Sequence, residues 1–377
     1  MRLEPGVEHI KQHINREYFE RIILPHFDEP ITYQSVDIYP LAVEIKADLK
    51  AKQAGRKFSV FPVNGEGECD ARWLGRNDHF RVSFHVVDRQ GELGAIDCLL
   101  TVYRTICHLS SIPSAQLVGQ IVSWFEELGG GDLFPTIYDG KTWENALLRE
   151  YLDWPTLSEV ARKLNRAINE QIDGTKHYLE QELARRRSIV KPVYHVPPLA
   201  KAMESYTRLE VLVHHRCSLI DALVTAIAKF HAYGEIILAK ARSAGVEIFE
   251  PTADHYAEKI TGNLADIARW QKIPKETIQE TLSDEYREAL RAIAAECMTN
   301  PKTNTLIVGD CKHENILVFG DNETWQVKFI DLESVRVASV GLDLAEIFRT
   351  YPMYNPNLDE NLTQLKNLIN QLNFLPF

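Results

Sequence analysis

The sequence lacks the features of several large protein classes. Its 377 residues include six cysteines, but no two form a C-x-x-C pair, so we expect reduced thiols and neither a zinc site nor a disulfide framework. No uninterrupted apolar run approaches the roughly 18 residues that cross a bilayer, and the first residues lack the basic-then-apolar order of a secretory signal. Internal repeats are also missing. The sequence therefore predicts a soluble, cytoplasmic protein without a membrane partner.

The balance of charge is acidic. Lys and Arg number 42 against 53 Asp and Glu, which gives a formal net charge of -11. Such a surface argues against nucleic acid as a partner and mildly favours cationic ligands. At about 150 residues per domain, the length predicts two structural units. The oligomeric state is left open.

The first 150 residues show two sequence patterns, one typical of a helix and one typical of strands. Apolar residues at helical spacing predict a helix over about 7–24, and residues 33–50 are ambiguous between strand and helix. Between about 58 and 150 short β-rich runs dominate. In the run Phe80–Val86, strict alternation places the apolar residues on one face and Arg81, Ser83 and His85 on the other. A helix over Ala95–His108 completes the prediction of a small antiparallel sheet with one helix.

From about residue 155 the pattern becomes mainly helical and then returns to strands. The Lys/Arg/Glu-rich segment over about 158–190 is interpreted as an exposed helix or a long insertion. Helices are predicted from a cap near Ser218 onward, over 283–298 and from about 342. Strands are predicted over 305–308, 316–319 and 325–330. A turn at 320–323 makes the last two strands a hairpin.

The residues that carry chemistry flank this hairpin. Asp310 follows an apolar strand, Asn315 comes five residues later, and Asp331 ends the second hairpin strand. Phosphoryl transfer from ATP requires a carboxylate to orient the attacking hydroxyl, and carboxylate or amide oxygens to hold Mg²⁺. These three side chains supply that set.

Five motifs in order resemble those of the aminoglycoside phosphotransferase and choline kinase-like family, relatives of the protein kinases. The catalytic loop is similar to Gly309–Leu317, the metal-binding motif to Ile330–Glu333, and the downstream Gly-x-Asp-Leu-Ala motif to Gly341–Ala345. Leu147–Leu157 resembles the hinge between lobes, and Ala228–Ala232 the end of the first large-lobe helix.

The resemblance implies an α+β, two-lobed protein-kinase-like fold, with a small antiparallel sheet lobe and a larger, mainly helical lobe. The expected division is an extension of unknown role over 1–57, a nucleotide-binding lobe over 58–149 and a large lobe over 150–377. Gly65–Gly67 would be the phosphate loop. ATP and Mg²⁺ are the implied cofactors, and a small hydroxylated molecule, with a cationic one favoured by the acidic chain, is the implied acceptor.

The resemblance also assigns roles to individual residues. Asp310 and Lys312 would be catalytic, Asn315 and Asp331 would hold the metal, and Asp343 would brace the catalytic loop. The nucleotide-binding residues would be Arg81, Glu150 and Leu152.

One departure from the family leaves alternatives open. The strand that normally carries a phosphate-binding Lys has Arg81 in its place, with Asp97 sixteen residues later where a helix Glu is expected. An Arg–Asp pair therefore replaces Lys–Glu in this interpretation, although a guanidinium fork is not the point charge of an ammonium. A catalytically impaired pseudokinase that acts as a binding module, and a protein kinase, are the alternative functions.

Overall fold

The protein is described by a computed structural model. The described residues are 7–40, 77–103, 114–142, 146–188, 198–298, 304–320, 324–348 and 358–373. The predicted strand at Phe58–Phe61 and the predicted phosphate loop at Gly65–Gly67 lie outside the described residues.

The sheet is antiparallel and has the strand order β1-β2-β3-β5-β4. Its strands are β1 (Thr32–Pro40), β2 (Asn77–Val87), β3 (Leu93–Tyr103), β4 (Ile137–Asp139) and β5 (Ala146–Glu150). Later in the chain come β6 (Asn304–Ile307), β7 (Ile316–Gly320), β8 (Trp325–Phe329) and β9 (Arg336–Ser339). The β7 and β8 strands form the predicted hairpin, with Val318 opposite Val327.

The alternation in β2 sets the two faces of the sheet as predicted. Phe80, Val82 and Phe84 are fully buried. They pack in one core with residues of the first helical segment, among them Ile14 and Phe19. That segment consists of α1 (Val7–His13), a helical turn over Arg16–Tyr18, a π-helical turn over Phe19–Ile23 and a 3-10 turn over Leu24–His26. The continuous helix predicted over 7–24 is thus broken into short pieces.

The helix predicted over Ala95–His108 is wrong. Residues Leu93–Tyr103 form β3, which pairs with β2 along its whole length, and residues 104–113 lie outside the described part. Apolar side chains in this stretch fit either period, but strand pairing buries Cys98 and Leu100 completely. Tertiary pairing therefore decided the secondary structure here.

Helices make up most of the remaining described chain. They are α2 (Ser114–Glu127), α3 (Leu157–Arg187), α4 (Pro198–Ser243), α5 (Ala253–Trp270), α6 (Lys275–Thr281), α7 (Asp284–Met298), α8 (Val340–Phe348) and α9 (Leu358–Asn373). At the start of α3, Thr156 and Glu159 form a reciprocal capping box. The predicted helix over 283–298 is confirmed, and of the two interpretations of the segment 158–190 the structure has the helix.

The predicted helix start near Ser218 is wrong, because α4 runs through it. No Pro or Gly interrupts the sequence between Pro198 and Tyr233. The Ser218 hydroxyl donates to the carbonyl of His215 inside the helix, so it does not cap a helix start.

The length of α4 bears on the membrane prediction. It contains an 18-residue window of mean hydropathy 1.4, so by length and composition alone it could cross a membrane. One such helix is weak evidence for a membrane span. The cytoplasmic location stays a prediction.

The chain divides into two compact units. The first comprises Met1–Asp153, Tyr233–Glu296 and Leu332–Val337, and the second comprises Trp154–Ala232, Cys297–Asp331 and Ala338–Phe377. The five-stranded sheet belongs to the first unit, which also contains α5 to α7. The predicted α+β class, an antiparallel sheet with a mainly helical remainder, is confirmed. The boundaries at 57 and 149 stay predictions, although β1 joins the same sheet as β2.

A buried hydrogen bond fixes the first helical segment to the sheet. The Tyr18 hydroxyl donates to Asp139 Oδ2 at 2.8 Å. Burial opposes the charge of Asp139, but hydrogen bonds from Thr142, Lys141 and Tyr18 outweigh it and hold the pKa of this carboxyl below its ordinary value.

We expect Tyr18→Phe to lower the free energy of unfolding by about 1–3 kcal/mol, because a buried carboxylate loses a donor. Urea denaturation measures this change. The matched control is Tyr206→Phe, because the Tyr206 hydroxyl makes no hydrogen bond among the described residues. Equal effects of the two substitutions would contradict the role of the Tyr18–Asp139 bond.

Candidate active site

The β7–β8 hairpin brings the predicted metal ligands together. Asn315 directly precedes β7, and Asp331 comes two residues after β8 ends. The Ile330 N–H donates to the Asn315 carbonyl at 2.9 Å, which extends the hairpin pairing by one step. The buried face of the hairpin contacts α4 through the edge-to-face pair of Phe329 and Phe230.

Four of the predicted site residues meet at this end of the hairpin. The Asn315 side-chain nitrogen donates to Asp310 Oδ2 at 3.0 Å and lies 3.4 Å from Asp331 Oδ2. It also donates to the Asp310 carbonyl at 3.0 Å. Lys312 Nζ donates to the same Asp310 oxygen, Oδ2, at 2.7 Å. One ammonium, one amide and two carboxylates therefore form a single connected cluster.

Lys312 is held in its charged form. Burial opposes that charge, but the hydrogen bond and charge of Asp310 outweigh it, with Asp331 and Glu314 adding to the effect. The pKa of Lys312 is therefore raised above its ordinary value. A permanent positive charge at this position suits the stabilisation of a negatively charged phosphoryl group.

Asp343 braces the backbone that leads into Asp310. Its carboxylate, 1% exposed, accepts hydrogen bonds from the N–H groups of Val308 and Gly309, each at 2.9 Å. His231 Nε2 lies 2.9 Å from the same carboxylate. Gly309 has φ 84, a left-handed conformation that glycine adopts without strain. The brace that the resemblance implied for Asp343 is thus present.

His313 fixes the turn between Asp310 and Asn315. Its Nε2 lies 2.6 Å from the Ile347 carbonyl, which accepts only, so Nε2 carries the proton. Burial lowers the pKa of His313, although its hydrogen bond to Ile347 acts in the opposite direction. No local sequence pattern predicted this role of His313, because Ile347 lies 34 residues away.

Asp331 adopts an unusual backbone conformation. Its φ of 63 lies in the left-handed region, where a side chain costs energy. Strain of this kind concentrates at functional sites because the surrounding structure must enforce it. Here the hairpin ends at Asp331 and aims its carboxylate toward Asn315.

The oxygen donors of this cluster fit Mg²⁺. Among the described residues, no group of three or more His, Cys, Asp or Glu side chains could hold a metal ion. Nucleotide-linked Mg²⁺ is commonly held by only one or two carboxylates together with substrate phosphates and water. Asn315 uses its amide nitrogen in the contacts described, so its amide oxygen is the atom available as a ligand. Asp331 and Asn315 therefore match the donor set of such an ion.

Arg81 in the first unit pairs with Asp97 as predicted, but Asp97 lies on a strand where a helix was expected. Its guanidinium donates to both oxygens of Asp97, at 2.6 and 3.3 Å, and lies 4.9 Å from the centre of the Tyr151 ring. Asp97 lies on strand β3 and not on a helix. The Arg81 hydrogen bonds are the main cause of the lowered pKa of Asp97, to which Ser83 also donates.

The other two predicted nucleotide residues lie at the end of β5. The Glu150 N–H donates to the Thr136 carbonyl at 2.8 Å, and the next N–H, of Tyr151, donates to the Asp97 carbonyl at 3.0 Å. Leu152 follows, and among the described residues no backbone hydrogen bond involves it. Its peptide groups are therefore the first ones beyond the sheet.

The comparison with protein families supports the kinase-like relationship. Residues 204–370 match the model of the Ecdysteroid kinase-like family. This stretch contains the Ala228–Ala232, Gly309–Leu317, Ile330–Glu333 and Gly341–Ala345 motifs and spans less than half of the chain. The predicted kinase-like relationship is thereby confirmed, and this part of the chain is ecdysteroid kinase-like in sequence. The hinge and Arg81 lie outside the match.

Solved kinase structures show distant likeness. An aminoglycoside-3'-phosphotransferase of type VIII is 15% identical, and the aligned region covers 84% of this chain and 90% of the phosphotransferase chain. The TM-score is 0.34. Ethanolamine kinase from Plasmodium vivax is also 15% identical, with 81% and 73% covered and a TM-score of 0.32. The streptomycin–ATP complex of APH(2")-IIa is 9% identical, with 75% and 77% covered and a TM-score of 0.30. No curated protein matches in sequence.

Replacing Asp331 tests the backbone strain. We expect Asp331→Gly to be more stable than Asp331→Ala by about 1–2 kcal/mol, because only glycine adopts a left-handed conformation freely. Both variants lose the carboxylate, so its contacts cancel in the comparison. Chemical denaturation of the two proteins gives the difference, and an alanine variant as stable as the glycine variant would show that Asp331 is unstrained.

Proposed function

We propose that the protein is an ATP- and Mg²⁺-dependent phosphotransferase that moves a phosphoryl group to a hydroxyl of a small molecule. The observation that carries this proposal is the cluster of Asp310, Lys312, Asn315 and Asp331 at the end of the β7–β8 hairpin. Its charges and oxygen atoms match the needs of phosphoryl transfer.

The residues of the second unit take the chemical roles. Asp310 orients the acceptor hydroxyl and takes its proton while the hydroxyl oxygen forms its bond to the γ-phosphorus and the bond to the ADP oxygen breaks. Lys312 offsets the negative charge on the transferred group. Asn315 and Asp331 would hold Mg²⁺, which neutralises phosphate charge when it is bound.

Asp310 acts mainly by position in this mechanism. Its Oδ2 already accepts from Lys312 and Asn315, and these two donors hold the carboxylate in one orientation. A carboxylate held in this way orients the acceptor hydroxyl well. This agrees with phosphoryl transfer, in which positioning and electrostatics supply most of the catalysis.

The residues of the first unit would bind the nucleotide. Arg81 suits phosphate because its guanidinium forms paired hydrogen bonds. The peptide groups near Glu150 and Leu152 would contact adenine, with Leu152 better placed because its backbone is not engaged in the sheet.

The acceptor is proposed as a small alcohol. Residues 204–370 match the Ecdysteroid kinase-like family, whose name gives ecdysteroid as one acceptor to test. The net charge of -11 favours a cationic acceptor instead. A screen should therefore contain both neutral polyols and amino alcohols.

The pairing of Arg81 favours a second candidate, a binding module without turnover. Asp97 occupies Nε and one Nη of the guanidinium, so fewer of its donors are available for phosphate. Binding of ATP without consumption in the presence of every acceptor would support this candidate. Transfer of label to proteins alone would support a protein kinase.

Asp310→Asn tests the proposed reaction directly. We expect wild-type protein to consume ATP with at least one small alcohol, and Asp310→Asn to lower kcat by a factor of about 10²–10⁴, since it removes the proton acceptor. Release of ADP measures turnover. Asp359→Asn, an exposed carboxylate in the first turn of α9, is the control and should retain full activity. Full activity of Asp310→Asn would refute the role of Asp310.

A pair of variants distinguishes the two possible roles of Arg81, contact with phosphate and support of its neighbours. If Arg81 contacts phosphate, Arg81→Ala weakens ATP binding by about 1.5–3 kcal/mol, the value of a hydrogen bond to a charged group, whereas Asp97→Asn leaves it unchanged or stronger. Titration calorimetry measures both affinities. If Arg81 only braces Asp97 and Tyr151, both variants lose stability and neither changes the affinity for ATP.

A further inference from the structure

Trp154 carries contacts that the proposed chemistry does not use. It is the first residue of the second unit and follows the Glu150–Asp153 stretch directly. Its ring stacks on Phe319, with centroids 5.1 Å apart and planes inclined by 22°. Lys328 Nζ lies 5.7 Å from the centre of the Trp154 ring. We call these three side chains the aromatic clamp.

The aromatic clamp lies on one face of the β7–β8 hairpin. Phe319 lies on β7, and Lys328 on β8 pairs with Leu317, two residues before Phe319. Phe319 and Lys328 therefore point to the same side of the hairpin. The opposite face, with Val318 and Phe329, is buried in the core. On the side of the clamp Leu317 is buried, and Trp154 covers the part of that face around Phe319 and Lys328.

The backbone reinforces this contact. The Val318 N–H donates to the Pro155 carbonyl at 3.0 Å, and Thr156 forms an antiparallel bridge with Leu317. Thr156 in turn caps α3. The segment 154–156 therefore ties β7 to the start of a long helix.

The position of the hairpin decides where the proposed metal ligands lie. Asn315 and Asp331 stand at the two chain ends of the hairpin, 3.4 Å apart from Nδ2 to Oδ2. A small tilt of the hairpin would move both side chains at once. Groups that orient metal ligands in this way tune the affinity for the ion.

We propose that Trp154 is a positioning residue for the metal site: by stacking on Phe319 it fixes the hairpin so that Asn315 and Asp331 can bind the divalent ion of a nucleotide complex. This inference rests on the proposed function. Phe319 is 54% exposed, so its ring contributes more to this clamp than to the core.

The test measures metal affinity in place of turnover. Mn²⁺, which takes the same oxygen ligands as Mg²⁺, is titrated into full-length protein with a non-hydrolysable ATP analogue, and bound Mn²⁺ is followed by electron paramagnetic resonance. We expect Trp154→Ala and Phe319→Ala each to weaken Mn²⁺ binding about tenfold or more. Trp154→Phe should restore most of the affinity, and binding of the analogue without metal should not change.

The control is an equivalent contact elsewhere in the second unit. Lys201 Nζ lies 5.5 Å from the ring centre of Tyr178, and we expect Tyr178→Ala to leave Mn²⁺ affinity unchanged. If Trp154→Ala fails to fold, Phe319→Ala carries the test, because its side chain is mostly exposed. Wild-type Mn²⁺ affinity in both alanine variants, or an equal loss in Tyr178→Ala, overturns the inference. Failure of the wild-type protein to bind Mn²⁺ with the analogue instead overturns the proposed function on which it rests.

Discussion

The candidate site depends on one buried carboxylate. Asp343 is almost fully enclosed, yet it accepts two backbone N–H groups and contacts His231. A charge in that position is tolerated only because these partners replace the lost water. In return it fixes the peptide groups of Val308 and Gly309, and thereby the direction in which the chain delivers Asp310. Without these bonds the backbone that leads into Asp310 would lose its side-chain support.

The hairpin is the second element of the construction. Its inner face joins the core through Phe329 and Phe230, while its chain ends carry Asn315 and Asp331. A two-stranded hairpin alone is marginally stable. This one is held by packing, by the backbone contact to Pro155 and by the stacked Trp154. The left-handed backbone of Asp331 is sustained by the same supports.

Local patterns predicted the parts of the fold that depend on neighbouring residues. The alternation over Phe80–Val86 predicted both faces of β2, and the sequence around Gly320 predicted the hairpin. Long-range contacts could not be predicted in this way. The helix expected over Ala95–His108 is a strand because it pairs with β2, and that pairing makes Asp97 a cross-strand neighbour of Arg81.

In the candidate site, too, the residues that lie close together in the sequence were predicted and the long-range contacts were not. Asp310, Lys312 and Asn315 lie within six consecutive residues, so the resemblance of one motif was enough to group them. The contact of His231 with Asp343 spans 112 positions, and no local pattern encodes it. The contact between Arg81 and the ring of Tyr151 likewise could not be predicted from the sequence.

The pairing of β1 with β2 affects how the protein is made. On the ribosome, β1 and the apolar segment containing Phe19 emerge well before β2, the strand on which they pack. Until synthesis reaches that strand, the unpaired edge of β1 and several apolar side chains lack their native partners. Exposed strand edges and apolar surface of this kind favour aggregation. A slow passage of translation between β1 and β2 would lengthen that exposure.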